Sequence, residues 1–355
     1  MEIKIKKGLR VLYRPIPENL NRENLYRLDR NERTFHFDSD DFKKILNEIT
    51  NYDLIAYPNL QPLYQAIAKY HKIRKNKIII TSGGDYAIRH LFETYLLEGD
   101  SIINTNPNYA MYSVYAKIFG VNEISVEYDE SLMLDFNLIK NKIIKTTKLI
   151  IISNPGHNGI KLKRRDLINL ISFAEERGII ILIDEAYIDF TKGSYIKDVN
   201  QFSNLFVLRT MSKGFGIASL RVSYLVSSEK NISNLFKVKP AHEISGVSAK
   251  IAKYLIQNLE IKKKYLDEIS KNKKLIINYF KKNNIDFLPT QTNFIYFKTK
   301  LNSDFIKLKL IEENIYIKNS PEVKPFQNYL RLTLGSENQM NFFMHALNKI
   351  LGIEK

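Results

Sequence analysis

The chain has 355 residues, more than one hydrophobic core usually organises, so a large and a smaller domain are expected. Its hydrophobic content of 44% is that of a globular protein, and the absence of cysteine excludes disulfides, thiolate metal sites and cysteine nucleophiles. The net charge of +16 fits nucleic acid or a small phosphorylated molecule as partner, yet acids lie between the lysines, which argues for charge spread over the surface.

Residues 1–35 read as irregular. The basic N-terminus is followed by no apolar segment with a cleavage site, so no signal peptide is expected and the protein is placed in the cytoplasm. No apolar run is long enough to span a bilayer, so no membrane partner is expected. Residues 40–49 read as a helix with Ser39 or Asp40 as N-cap, 56–60 as a turn and 63–70 as a helix. Residues 77–81 form a buried strand that runs into Ser82-Gly83-Gly84-Asp85 and a helix over 86–97. A strand, a glycine pair and a helix start make an anion cradle: glycines let the backbone close round a phosphate, and the free N–H groups of the first turn point at it. An ordinary strand-to-helix turn would carry the same residues.

A strand over 101–104, the turn Asn106-Pro107-Asn108-Tyr109 and a helix over 111–119 follow. Tyr109 is placed either to lie over a flat cofactor or to pack. The strand 148–153 opens into the turn-rich loop Asn154-Pro155-Gly156-His157-Asn158-Gly159, then comes a helix over 165–177. The apolar strand 178–183 stops at Asp184-Glu185-Ala186-Tyr187. Runs of this kind suit a parallel sheet covered on both faces. Asp184 reads as a simple cap, or as a ligand group at the sheet edge where open α/β folds bind their ligands.

The strand 205–208 leads to Thr210-Met211-Ser212-Lys213-Gly214-Phe215-Gly216, closed by Arg221. A lysine just past a buried strand, with a serine before it, glycines after it and an arginine eight positions on, suggests a phosphate pocket with an amine nucleophile. Such a lysine forms a Schiff base with an aldehyde cofactor. A Ser-Lys hydrolase is the competing reading, but it leaves Asp184 and Arg221 without a role. Beyond lie a strand over 222–226, long amphipathic helices over 246–282, and strands over 292–297, 315–318 and 329–334. A helix between the first two of these and a last helix over 337–350 complete a small α/β unit with a partly antiparallel sheet. The densest basic run, Ile261-Lys262-Lys263-Lys264-Tyr265, reads as a solvated helix face. With no zinc pattern, RNA-recognition signature or basic stripe, neither a metal nor a nucleic-acid partner is expected.

In order, these features resemble the fold-type I pyridoxal-phosphate enzymes, most closely the histidinol-phosphate aminotransferase family. The segments that carry the resemblance are Asp184-Glu185-Ala186-Tyr187-Ile188-Asp189-Phe190, Thr210-Met211-Ser212-Lys213 with Arg221, Asn106-Pro107-Asn108-Tyr109-Ala110-Met111-Tyr112, and Leu330-Arg331-Leu332-Thr333-Leu334-Gly335. It covers nearly the whole chain. It implies an α/β fold: a large domain over 36–250, with a mostly parallel seven-stranded sheet between helices, and a small domain built from 1–35 and 251–355. It implies that Lys213 holds pyridoxal 5'-phosphate as a Schiff base and shuttles a proton, that Asp184 pairs with the pyridinium nitrogen, and that Tyr187 donates to the phenolic oxygen. Tyr109 would stack on the ring. The turn at Gly83, Gly84 and Asp85, with Ser212 and Arg221, would hold the phosphate. Tyr57 matches a tyrosine that reaches the neighbouring subunit's phosphate, which implies a homodimer. Arg331 would take the substrate's carboxylate or another anion, and Asn31 would sit near the substrate.

Two segments depart from the family pattern. The family loop Asn-Asn-Pro-Thr-Gly, whose second Asn bonds the phenolic oxygen, is here Asn154 to Gly159. Asn158 is the favoured counterpart, Asn154 the next, and strand length alone would select His157. Lys318 stands where the family has a phosphate-facing arginine, keeping the charge but losing the fork. The expected activity is transamination of a small phosphorylated amine or ketone with glutamate as donor. The alternative is decarboxylation of a phosphorylated hydroxy-amino acid, of the phosphoserine or phosphothreonine type.

Overall fold

Neighbouring residues of the apolar strands are buried on opposite faces of one sheet, so helices must cover both. The computed structural model describes residues 5, 7–12, 21–288, 290–320 and 323–353. In chain order the elements are α1 (Lys7–Arg10), β1 (Tyr26–Arg27), α2 (Ser39–Asn47), α3 (Asn51–Ile55), α4 (Gln61–His71), β2 (Ile78–Ser82), α5 (Gly83–Tyr95), β3 (Ser101–Asn106), α6 (Met111–Phe119), β4 (Asn122–Glu127), α7 (Phe136–Asn141), β5 (Thr147–Ser153), α8 (Arg164–Glu175) and β6 (Ile180–Asp184). They continue with β7 (Leu205–Thr210), β8 (Val222–Val226), α9 (Glu229–Leu235), α10 (Gly246–Gln257), α11 (Leu259–Lys282), β9 (Asp286–Leu288), β10 (Phe294–Lys298), α12 (Ser303–Glu312), β11 (Ile315–Tyr316), β12 (Lys318–Asn319), β13 (Leu330–Thr333) and α13 (Glu337–Leu351).

The large sheet has seven strands in the order β2-β8-β7-β6-β5-β3-β4. β8 runs antiparallel to the other six strands. Ile78, Ile80, Ile150, Ile152, Ile181 and Ile183 pack on one face with α4, α8 and α10. Ile79, Leu149, Ile151 and Leu182 pack on the other with α5, α6 and α9. The α/β expectation, with a mostly parallel sheet between helices, therefore holds. A second sheet, β12-β13-β10-β9, is wholly antiparallel. Its core joins Leu28 to side chains from Tyr265 to Leu347. The large core reaches Ile261, and α10 packs entirely within it. We infer from these two cores that the domain division falls inside α11 rather than between residues 250 and 251, within α10.

Some local expectations shift. The first of the predicted helices starts at Ser39, which makes Asp38 the cap rather than Ser39 or Asp40. α3 was not expected, although Thr50 and Asp53 form a capping box at its start. The edge strand β4 was also not expected, because its alternating residues are mostly half-buried or exposed. α5 begins at Gly83, so the glycine pair belongs to the first helical turn.

The run 261–265 is not uniformly solvated. Lys263 and Lys264 are exposed, but Lys262 is buried. Its Nζ lies 2.7 Å from Asp189 and donates to the Tyr70 hydroxyl at 3.0 Å. Asp189 also takes Arg209 Nη2 at 2.8 Å, while Arg209 Nη1 lies 3.3 Å from Glu185. This buried network joins the end of β6, the strand β7 and the helix α11. Removing one partner of a buried ion pair leaves an uncompensated charge. Arg209→Leu is accordingly expected to cost about 3–5 kcal/mol of unfolding free energy, measurable by chemical denaturation. A loss within about 0.5 kcal/mol, as at an ordinary surface site, would show that the network is not integral to the fold.

Candidate active site

The carboxyl ends of β2, β3, β5, β6 and β7 meet at one edge of the large sheet. Because β8 is antiparallel, its start lies at that same edge: Val222 pairs with Ser82 and Ser223 with Thr210. That reversal delivers Arg221, the residue before β8, to the strand ends of its neighbours. A cavity of about 960 Å³ opens there. Gly84, Asp85, Tyr109, Asp184, Tyr187, Ser212, Lys213 and Arg221 line it from the large sheet. Lys318 and Arg331 line it from the small sheet, and Asn31 from the N-terminal arm.

Lys213 Nζ donates to the carbonyl of Arg30 at 3.0 Å. Desolvation and the positive charges of Arg331 and Arg221 bring this amine down to about 8, against the pull of Glu32 and Asp184. Asp184 is 6% exposed at the end of β6. Its Oδ2 accepts the Tyr112 hydroxyl at 2.6 Å and its Oδ1 the Ala186 N–H at 2.9 Å. Burial raises its pKa, and those two hydrogen bonds oppose the rise. Tyr187 receives the Asn31 amide on its hydroxyl at 2.9 Å. Asn31 has a left-handed φ of 54°, which asparagine tolerates, and Thr333 Oγ1 bonds both its N–H and its side-chain oxygen at 3.0 Å.

On the cradle side, Arg221 Nη2 lies 3.4 Å from Asp85, whose other oxygen accepts the Tyr109 hydroxyl at 2.5 Å. Gly83 has a φ of 79°, and a Cβ there would collide with the Arg221 guanidinium. Gly83 therefore does not line the cavity but lets Arg221 lie against the turn. On the opposite wall, Lys318 and Arg331 are paired residues of β12 and β13. Arg331 Nη2 donates to the Asp29 carbonyl at 2.8 Å, while its buried Nε has no partner among the described residues.

Besides Gly83, three expected cofactor residues do not line this cavity. Asn158 is fully buried, its amide donating to the Leu132 carbonyl and its oxygen accepting the Ile160 N–H. Asn154 is also fully buried, its oxygen accepting the Leu162 N–H. Both asparagines bond backbone groups outside the loop, and neither lines the cavity. His157 is the polar side chain that the loop turns to the cavity wall. Burial and the charges of Arg331, Lys213 and Lys318 lower it to about 3, so the imidazole is neutral. Its ring lies within 14° of parallel to Tyr109, with centroids 6.2 Å apart. Tyr57 is 81% exposed, away from its own chain's cavity, and stacks on His242. Tyr112, the partner of Asp184, carried no expectation. Its place in the first turn of α6, within the segment Asn106 to Tyr112, was the available signal.

This donor set fits pyridoxal 5'-phosphate. It offers a lowered amine to meet an aldehyde, a buried carboxylate to meet a ring nitrogen, and a glycine turn with an arginine to meet a phosphate. The family model "Aminotransferase class I and II" matches residues 23–347. A histidinol-phosphate aminotransferase of Caldanaerobacter subterraneus subsp. tengcongensis is 30% identical over 330 residues, 92% of this chain and 93% of the relative. That of Sulfurisphaera tokodaii is 30% identical over 335 residues, 92% and 90% of the two chains. Among solved structures, the histidinol-phosphate aminotransferase of Sinorhizobium meliloti in complex with pyridoxal-5'-phosphate superposes with a TM-score of 0.88 at 18% identity, covering 99% of this chain and 98% of that one. With the site and the fold in agreement, the chain belongs to the class I and II aminotransferases, pyridoxal-phosphate-dependent transaminases of fold type I.

Proposed function

We propose that the enzyme transaminates a small phosphorylated amine or its ketone, with glutamate as amino donor. The observation that carries the substrate class is the pairing of Lys318 with Arg331. Directly paired residues of antiparallel strands point to the same face, and like charges there repel. Desolvation first, then Arg331, lowers the Lys318 ammonium. An anion bound between the two groups would relieve the repulsion. The named activity of the relatives, on a phosphorylated substrate, supports the same reading and favours transamination over decarboxylation.

Pyridoxal phosphate, when bound, supplies the electron sink for the carbanion at the substrate's Cα. Lys213 would bind its aldehyde and, once free, move the proton. Asp184 would hold the ring nitrogen's proton, oriented by Tyr112 and the Ala186 N–H. Tyr187, fixed by Asn31, would donate to the phenolic oxygen, and Tyr109 would wall one face of the ring. The N–H groups of Gly84 and Asp85, with Ser212 and Arg221, would hold the phosphate. We assign to His157 the loop contact expected of Asn158, because His157 turns to the cavity and Asn158 away from it. The reading includes a homodimeric, cytoplasmic enzyme. Its interface would use the strip Tyr52, Leu54, Ile55 and Tyr57, exposed by 68%, 69%, 76% and 81% in the single chain.

The cofactor-loaded protein is expected to show a visible absorbance band that L-glutamate replaces by a near-ultraviolet one. A band that ignores glutamate while phosphoserine or phosphothreonine releases CO2 would move the assignment to a decarboxylase. Lys213→Ala should abolish the exchange and still bind cofactor noncovalently.

The rate at which apoprotein captures pyridoxal phosphate should rise with pH and level off above about 8, because only the neutral amine attacks. Arg331→Ala removes a positive neighbour and should move the midpoint upward. A flat profile from pH 6 to 10 in stopped-flow absorbance would exclude Lys213 as the titrating group.

Lys318→Ala should raise KM for the phosphorylated substrate by about tenfold or more while sparing the glutamate half-reaction, and Lys318→Arg should recover it. Equal damage to both half-reactions would place Lys318 outside phosphate recognition.

A further inference from the structure

Ser82 ends β2 and caps α5, the helix whose first turn forms the anion cradle. Its own side chain makes no capping hydrogen bond. Its backbone N–H instead donates to Glu243 Oε1 at 2.7 Å, across 161 residues of sequence. The other oxygen of that carboxylate lies 3.0 Å from His90 Nε2, two turns along α5, and 3.7 Å from Lys239 Nζ. The three side chains are 2%, 3% and 5% exposed for His90, Glu243 and Lys239. A carboxylate accepts only, so His90 donates through Nε2.

A buried carboxylate is costly unless it is paired and hydrogen-bonded, and none of these three groups reaches the cavity. What the cluster does reach is the cradle. One carboxylate grips the turn at Ser82 and the body of α5 at His90, so the first helical turn is held from both sides. Lys239 offsets a negative charge that would otherwise oppose an anion at the helix start. The same stretch carries His242, stacked on Tyr57 at 4.4 Å between ring centres.

We propose that Glu243 is a positioning residue for the cofactor's phosphate. Through the Ser82 N–H and His90 it fixes the turn at which Gly84 and Asp85 present their N–H groups. The proposal rests on reading the Gly83–Asp85 turn as the phosphate cradle.

The test uses the full chain in a Lys213→Ala background, where binding is noncovalent, titrated with pyridoxal phosphate. Glu243→Ala should raise Kd by about tenfold, the loss of a hydrogen bond to a charged group. Glu243→Gln keeps an acceptor for the Ser82 N–H and should return Kd to within about threefold of the parent. With Lys213 restored and cofactor saturating, kcat should be unchanged in both. If Glu243→Ala does not fold, Glu243→Asp, which withdraws the carboxylate by one methylene, should weaken binding in the same direction. A parental Kd in Glu243→Ala or in its Asp substitute, or a Gln variant as weak as the Ala one, overturns the proposal. Arg221→Ala separates the two claims: if it too leaves Kd unchanged, the cradle reading fails, and if only Glu243 is silent, the positioning role fails alone.

Discussion

A sheet buried on both faces cannot carry an unpaired charge along its length, and the rest of this structure follows from that constraint. Polar chemistry is pushed to the edge where the strands run out. There Asp184, Lys213 and the Gly83–Asp85 turn meet without any long excursion of the chain. The antiparallel β8 adds Arg221 to the same edge, which a fully parallel sheet would have sent to the opposite one. The large sheet thus supplies one wall of the cavity, the side to which the cofactor is assigned above. The small sheet and the N-terminal arm supply the other side, through Lys318, Arg331, Arg30 and Asn31.

Electrostatics then divides the labour. Lys213 sits among positive neighbours in a desolvated place, and the same two influences make His157 a neutral imidazole. Asp184 is raised by burial but steadied by Tyr112. Apart from the cavity lining, Arg209, Glu185, Asp189 and Lys262 form a buried network of their own. It locks the end of β6 to β7 and to α11, so the residues that face the cavity stand on rigid elements.

Much of this was legible in the sequence. The apolar runs announced the sheet, and the residues just past them announced the edge, because buried strands leave little ambiguity about where they stop. Lys213, Asp184, Arg221 and Tyr187 all came from that reasoning, joined to the family resemblance. In the loop 154–159 the sequence left three candidates, because turn chemistry, not composition, decides which side chain faces inward. Asn154 and Asn158 are good acceptors for the backbone just beyond the loop, so they turn away and His157 is left to the cavity. Lys262 was misread because a charge run says nothing about which member faces a buried carboxylate. Glu243 was invisible for a simpler reason: its partners Ser82 and His90 lie far away in sequence.

The exposed strip at and after α3 has a consequence in terms of ionic strength. In the homodimer proposed above, two copies each carrying +16 repel while their apolar strips attract. Salt screens the first effect and leaves the second, so assembly tightens as salt rises. Phosphate binding by Arg221 and Lys318, as proposed above, would respond in the opposite sense. On that proposal, dilute buffer would favour a separated chain that grips anions well, and concentrated salt a paired one that grips them less.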